Sequence, residues 1–355
     1  MPVAHSGSKV LVSGANGYIA MWVVRTLLEQ GYQVRGTVRS KDKGEFLKQY
    51  FSQIGLADKF EFVIVEDIIK EGAFDEAVKG VDAVEHVASP FTYDIKASDD
   101  LLGPAVQGTV GILRSAIKTG TQIKRIVITS SCAAVLNPTT IPTKFSEKDW
   151  NTTAEEEFKR LGEKTPVMSL YRLSKTRAER AAWDFYNEHK SKLTWDLVII
   201  NPPFVFGPPI HNIKSPKSLN LSLQFWFDAV FLAENYKTKE VLSVSNSWVD
   251  VRDTALGHVL ALQKEEAGGE RIITCGGGFI WQEWIQAANA LPENPLKANY
   301  PDFQRGFPEI LEANPQRIVT ISYDISKEQR LFGMKYKTQA ETTKDTLEEF
   351  AKRGW

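Results

Sequence analysis

A chain of 355 residues, 43% hydrophobic and 25% charged, has the composition of an ordinary globular protein with material for a large core. Lysine and arginine total 43 against 44 aspartates and glutamates, so no net basic charge draws it to nucleic acid or anionic lipid. The opening MPVAHSGSK has no apolar signal core, no apolar run is long enough to span a bilayer, and Cys132 and Cys275 show no metal or redox spacing; the expectation is a cytoplasmic protein with no metal and no membrane partner.

Short β-branched runs at 9–13, 33–39, 60–67, 82–89, 125–131 and 195–202 alternate with helix-period segments. That order predicts βαβ units, and so an α/β fold with a doubly wound parallel sheet of the Rossmann type. Between the first two runs, Ile19, Trp22, Val23, Thr26 and Leu27 mark one helix face, with Gly31 as its stop. After 203 the texture changes to PPFVFGPPIHNIKSPKSLN, a proline-rich excursion that predicts a smaller, mixed α/β region. VLSVSNSWVDVRDTALGHVLAL, at 241–262, reads as a strand and helix returning to the sheet. Residues 1–205 with that returning segment are expected to form the dinucleotide domain, and 206–240 with 263–355 the substrate-binding region.

KVLVSGANGYIAMWVV places Gly14 and Gly17 after the first strand and before the first helix. In that context a glycine turn lets a pyrophosphate approach the unpaired N–H groups of a helix N-terminus. Asn16, Tyr18 and Ile19 share the turn and are candidate cofactor contacts. The second strand ends in Arg39, where an NAD site usually has an acid, and Lys43 follows; both favour the 2′-phosphate of NADP, although Asp42 dissents. Asp67, at the end of the third run, reads equally as an adenine acceptor or a helix cap. His86, without a partner at metal-ligand spacing, reads as a core histidine.

The fifth run delivers Thr129, Ser130 and Ser131 to the strand ends where doubly wound sheets bind ligands. Farther on, YRLSK puts Tyr171 and Lys175 four residues apart on one side of a helix. A serine, a tyrosine and a lysine behind a glycine turn suit hydride transfer to a carbonyl, whose oxygen needs a hydrogen-bond donor and then a proton. A tyrosine of ordinary pKa near 10 is about three units too high for balanced transfer at neutrality, a gap of roughly 4 kcal/mol. A nearby ammonium helps close it.

With these motifs, and with VSGANGYIA, GTVRS, HVASPF, VITSSCAAV, SEKDWN, AERAAW, NPPFVFGP and WVDVRDTA in order, the sequence resembles the extended short-chain dehydrogenase/reductases. The resemblance is strongest to the dihydroflavonol 4-reductase-like branch and its fungal NADPH-dependent aldehyde and ketone reductases of the methylglyoxal type. It implies Ser131, Tyr171 and Lys175 as the catalytic triad, and NADP(H) as cofactor. It places Arg39 and Lys43 at the 2′-phosphate, Asp67 and Ile68 at the adenine, Val87, Ala88 and Ser89 beside the cofactor, and Pro202, Pro203 and Val205 at the nicotinamide. Gln107 stands where the family usually has asparagine, which puts a supporting proton relay in doubt.

Phe91, Leu136, Phe204 and Trp226 are candidates for an apolar substrate pocket, against the plain alternative of packing residues. The expected partner is a small carbonyl compound, and the expected assembly a monomer or homodimer. The leading reading is a carbonyl reductase acting on aldehydes, ketones or α-dicarbonyls. A sugar-nucleotide epimerase or sterol dehydrogenase on the same scaffold, and an NADP-sensing regulator without turnover, are the alternatives.

Overall fold

The computed structural model describes residues 3–89, 97–293, 295–296, 300, 304–313 and 319–355. Along the chain the strands are β1 (Lys9–Ser13), β2 (Gln33–Val38), β3 (Phe60–Ile64), β4 (Ala83–His86), β5 (Arg125–Thr129), β6 (Thr143–Phe145), β7 (Asp196–Asn201), β8 (Phe204–Phe206), β9 (Ser245–Asp250), β10 (Arg271–Ile273), β11 (Gly277–Ile280) and β12 (Ile321–Tyr323). The helices are α1 (Tyr18–Glu29), α2 (Lys41–Gln53), α3 (Asp99–Thr119), α4 (Thr153–Leu161), α5 (Val167–His189), α6 (Leu221–Val230), α7 (Lys239–Leu242), α8 (Val251–Gln263), α9 (Trp281–Asn289), α10 (Glu309–Ala313), α11 (Ser326–Leu331) and α12 (Gln339–Lys352).

Seven strands form the main sheet in the order β10-β7-β5-β4-β1-β2-β3, and every pairing in it is parallel. Such strands are covered on both faces and need apolar residues on both, with alternate side chains pointing opposite ways. Val10, Val12, Val127, Val198 and Ile200 accordingly join the core beneath α1 and α8. Leu11, Ile126, Ile128, Leu197 and Ile199 join the core beneath α3 and α5. The chain runs outward from β1 through β2 to β3, then returns to β4 on the other side of β1. At that reversal a crevice opens beyond the C-terminal ends of the strands.

The third strand ends at Ile64, short of the expected 67, because Val65 turns away after its amide bonds to the Val38 carbonyl. The segment expected to return to the main sheet divides. Its strand, β9, instead joins a smaller sheet ordered β11-β9-β8, while α8 packs against α1. In exchange β10, from the stretch assigned to the substrate region, lies at the edge of the main sheet with Arg271 opposite Ile199. Three residues make too short a run for a periodicity argument.

The smaller lobe packs around Trp284, whose ring lies 4.7 Å from Trp248, 5.1 Å from Phe206 and 6.1 Å from Trp226. β6 and β12 form a third, two-stranded sheet. Polar contacts join the lobes: the Tyr18 hydroxyl donates to the Gly207 carbonyl (2.8 Å) and the Trp22 indole to the Pro208 carbonyl (2.9 Å). No helix among the described residues is long and apolar enough to cross a membrane.

Arg125 sits at the start of β5 with its side chain 0% exposed. It grips Asp196 through two bonds of 2.6 and 2.7 Å, and donates to the carbonyls of Ala261 (2.6 Å), Lys264 (2.5 Å) and Glu265 (3.0 Å). Asp196 is one-third exposed, so the loss from breaking this pair falls at the low end for a buried ion pair. Arg125→Met is expected to lower unfolding free energy by about 3 kcal/mol, read from the denaturant midpoint; an unchanged midpoint would show that these bonds are not what closes α8 onto the sheet.

Candidate active site

A cleft of about 480 Å³ lies at the strand ends of the main sheet. Its floor is the turn after β1. Gly14 has φ +61°, and a Cβ there would meet the Ala88 Cβ at 3.0 Å, so both its conformation and its surroundings require glycine. The Gly14 amide bonds the Thr37 hydroxyl (3.0 Å), and the Gly17 amide bonds the Gly14 carbonyl (2.9 Å). Gly17 then starts α1 with no side-chain cap, and Tyr18, Ile19 and Ala20 line the cleft beside Asn16. This leaves the first amides of α1 available to an anion.

One end of the cleft is basic. Arg39 and Lys43 line it, and the side chain of neither makes a hydrogen bond or close salt bridge to another described residue, although the Lys43 charge also acts on Asp42. Asp42 is held by the Ser40 hydroxyl, which also draws its carboxyl below the usual range. Ile68 lines the cleft and Asp67 does not. Asp67 is exposed and accepts the Ile69 amide at 3.0 Å, a consequence of β3 ending early and leaving it in a turn.

The middle of the cleft is shaped by Ser13. Its hydroxyl oxygen accepts the amides of Val87 and Ala88, each at 3.0 Å, and lies 2.9 Å from His86 Nδ1. With both acceptor positions taken, the hydroxyl donates to Nδ1, which puts the imidazole proton on Nε2. Burial, reinforced by Lys175, lowers His86 to about 3, so the ring is neutral. His86 is therefore a core histidine that fixes the strand tip Val87–Ser89 along the cleft wall.

At the other end stand Thr129, Ser130, Ser131, Tyr171 and Lys175, with Pro202, Pro203 and Val205 opposite. Ser131 caps a short 3-10 turn, accepting the Ala133 amide at 3.0 Å. The Tyr171 and Ser131 side chains are hydrogen-bonded; burial raises the tyrosine pKa, and this contact acts against the rise. One helical turn along α5, Lys175 donates to Ser89 Oγ at 3.0 Å and lies 6.0 Å from the centre of the Tyr171 ring. Burial lowers the Lys175 ammonium to about 8, and Glu179 acts against that shift.

Glu179 continues the same stripe and is 2% exposed. Its Oε2 accepts the Ser130 hydroxyl (2.5 Å) and the Asn201 amide (2.8 Å), and its Oε1 accepts Arg271 Nε (2.5 Å). The Arg271 guanidinium lies 3.7 Å above the Trp150 ring. Sequence reading overlooked Glu179, Asn201 and Arg271. Only Glu179 left a signal there: the Tyr171 and Lys175 spacing extended by one more turn.

The proposed substrate residues fare differently. Phe91 lies outside the described residues. Trp226 is buried against Trp284 and Phe350, Phe204 packs among Phe206 and Phe225, and Leu136 packs beside Phe145 and Tyr323. None of these three lines the cleft; Asn220, Leu221 and Ser222, at the start of α6, do. Trp226 is fully buried, whereas Leu136 and Phe204 are half-buried. Gln107 is exposed on α3 and likewise does not line the cleft.

A family model described as the NAD dependent epimerase/dehydratase family matches residues 10–276. The chain belongs to that family. Among its relatives, the NADPH-dependent methylglyoxal reductase GRE2 of Saccharomyces cerevisiae is 35% identical over 97% of this chain and 98% of its own. The ketoreductase azaE of Aspergillus niger is 35% identical over 93% of each chain. A crystal structure of Gre2 from Candida albicans in complex with NADPH superposes with a TM-score of 0.81 at 30% identity, covering 98% of this chain and 100% of the other.

The buried Lys175 charge beside Tyr171 is the group to measure. Since Glu179 raises its pKa, Glu179→Gln is expected to move it below about 8, by about one unit. NMR titration of the Lys175 side-chain nitrogen reads this directly, and an unmoved or raised pKa would show that Glu179 does not set it.

Proposed function

We propose that this protein is an NADPH-dependent carbonyl reductase that converts an aldehyde, ketone or α-dicarbonyl into the alcohol. The observation that carries this reading is one continuous cleft with the basic side chains Arg39 and Lys43 at one end and Ser131, Tyr171 and Lys175 at the other. The names of the yeast methylglyoxal reductase and the fungal ketoreductase support the same reaction class.

The chain fits the cofactor on its own evidence. Gly14 leaves a cradle that a Cβ would obstruct, α1 presents uncapped amides, and Arg39 and Lys43 suit a 2′-phosphate better than a bare hydroxyl. When bound, NADPH supplies the hydride that reaches the carbonyl carbon. Ser131 donates a hydrogen bond to the carbonyl oxygen as negative charge develops there. Tyr171 delivers the proton to that oxygen. Lys175 stabilises the phenolate left behind, and its bond to Ser89 keeps the ammonium at the strand tip. Val87–Ser89 and Pro202–Val205 enclose the reacting end and limit water.

Incubation with NADPH or NADH and a panel of aldehydes, ketones and α-dicarbonyls, followed by nicotinamide absorbance, tests the reading. Faster turnover with NADH than with NADPH, or no carbonyl reduced, would refute it. Tyr171→Phe is expected to lower kcat about 10²- to 10⁴-fold with little change in KM. Arg39→Ala is expected to weaken NADPH binding about tenfold while NADH binding stays nearly constant, as measured by fluorescence titration.

A further inference from the structure

We propose that Glu85, His258 and Thr129 form a buried proton-holding relay that sets the hydrogen-bond polarity of Thr129 where it faces the cofactor cleft. The inference rests on the cofactor reading above. It assigns Thr129 a cofactor contact, and makes Glu85 and His258 positioning residues.

Glu85 stands in β4 near the middle of the main sheet, where the neighbouring strands contribute apolar side chains to both cores. It and His258, on α8, both have side chains 0% exposed. Glu85 Oε2 lies 2.6 Å from His258 Nδ1, and His258 Nε2 lies 3.0 Å from Thr129 Oγ1. Thr129 ends β5 and lines the cleft beside Ser131 and Tyr171. Among the described residues Glu85 Oε1 has no hydrogen-bond partner. An arrangement that leaves a carboxylate oxygen unpaired in a parallel sheet is a poor way to gain stability, since apolar side chains of similar volume serve as well or better. Its one outlet is a hydroxyl in the cleft.

Counting protons gives the relay its consequence. With one proton shared by the pair, it lies between Nδ1 and Oε2; Nε2 then accepts the Thr129 hydroxyl, and the Thr129 oxygen offers only lone pairs to the cleft. A second proton, taken from solvent, gives either imidazolium beside carboxylate or neutral imidazole beside carboxylic acid. In both forms Nε2 carries hydrogen and donates to Thr129, whose own hydroxyl hydrogen is released toward the cleft. One proton thus converts Thr129 from acceptor to donor. Burial raises Glu85 to about 7 against the pull of His258 and Arg125, so the second proton binds near neutrality. Tyr32, between α1 and β2, is a further ionisable group that feels Glu85. A carboxamide offers both a donor and an acceptor edge, so such a change alters how it is held.

The test compares NADPH dissociation constants of wild type and Thr129→Val from pH 6 to pH 8, because the ratio of the two cancels titration of the cofactor phosphates. The ratio is expected to change about fivefold across that range, the span of one hydrogen bond gained or lost. Glu85→Gln, which lacks the ionisable carboxyl, is expected to give a flat ratio to Thr129→Val. Thr129→Ser is expected to restore the wild-type dependence. NMR of the Glu85–His258 pair in the cofactor-free protein should show a second proton bound as pH falls through neutrality in wild type and not in Glu85→Gln. Measurable NADPH binding with a flat wild-type ratio, a Glu85–His258 pair that takes up no proton between pH 6 and 8, or Thr129→Ser behaving as Thr129→Val would overturn the relay. No NADPH binding at any pH would instead overturn the cofactor reading, with the NMR titration still judging the proton-holding pair. Should Thr129→Val not fold, the wild-type to Glu85→Gln ratio carries the same expectation.

Discussion

The carboxylate of Glu179 is the constraint on which the reacting end of the cleft depends. It is buried on α5, yet holds the Ser130 hydroxyl of the segment after β5, the Asn201 amide at the end of β7, and the Arg271 guanidinium of β10. Three strand ends and one helix therefore share a single anion. A buried anion is tolerated only where it is fully engaged, and these bonds with the Arg271 charge meet that requirement. Ser131 follows Ser130 directly and Pro202 follows Asn201, so the cleft walls inherit their positions from this node. Lys175, one turn away, receives part of the same negative field.

The two cores explain why such a polar node survives inside an α/β protein. Strand alternation sends every second aliphatic side chain to each helix layer, which makes the sheet itself insensitive to what occurs past its C-terminal edge. Polar groups gather at that edge: Ser13 with His86, Glu179 with Arg271, and His258 with Thr129. The sheet centre holds one exception, Glu85, and it connects to the same edge through His258.

Much of this was legible in the sequence because the relevant physics is local. A strand, a glycine turn and a helix stripe adjoin in one stretch, so the local pattern alone places Gly14, Gly17, Tyr18 and Ile19 at the cleft floor, and Tyr171 and Lys175 on one helix face. Residues whose role depends on distant partners leave no such trace. Arg271 belongs to a strand of three residues, and only its register beside β7 brings it to Glu179. Asp67 falls in a turn rather than in the strand because strand length is set by pairing with β2 and not by composition. Trp226, an aromatic beside a presumed pocket, was drawn instead into the ring cluster around Trp284, whose apolar burial outweighs any use at the cleft.

The two bonds from α1 to the carbonyls of Gly207 and Pro208 give the molecule a mechanical property of its own. Tyr18 belongs to the first helix turn, which lines the cleft, and the carbonyl it holds lies on the path from β8 to α6, whose first residues also line it. An occupant that settles against the helix start therefore also stiffens the approach to α6. By linkage, a guest seated against α6 must tighten the hold at the helix start to the same degree.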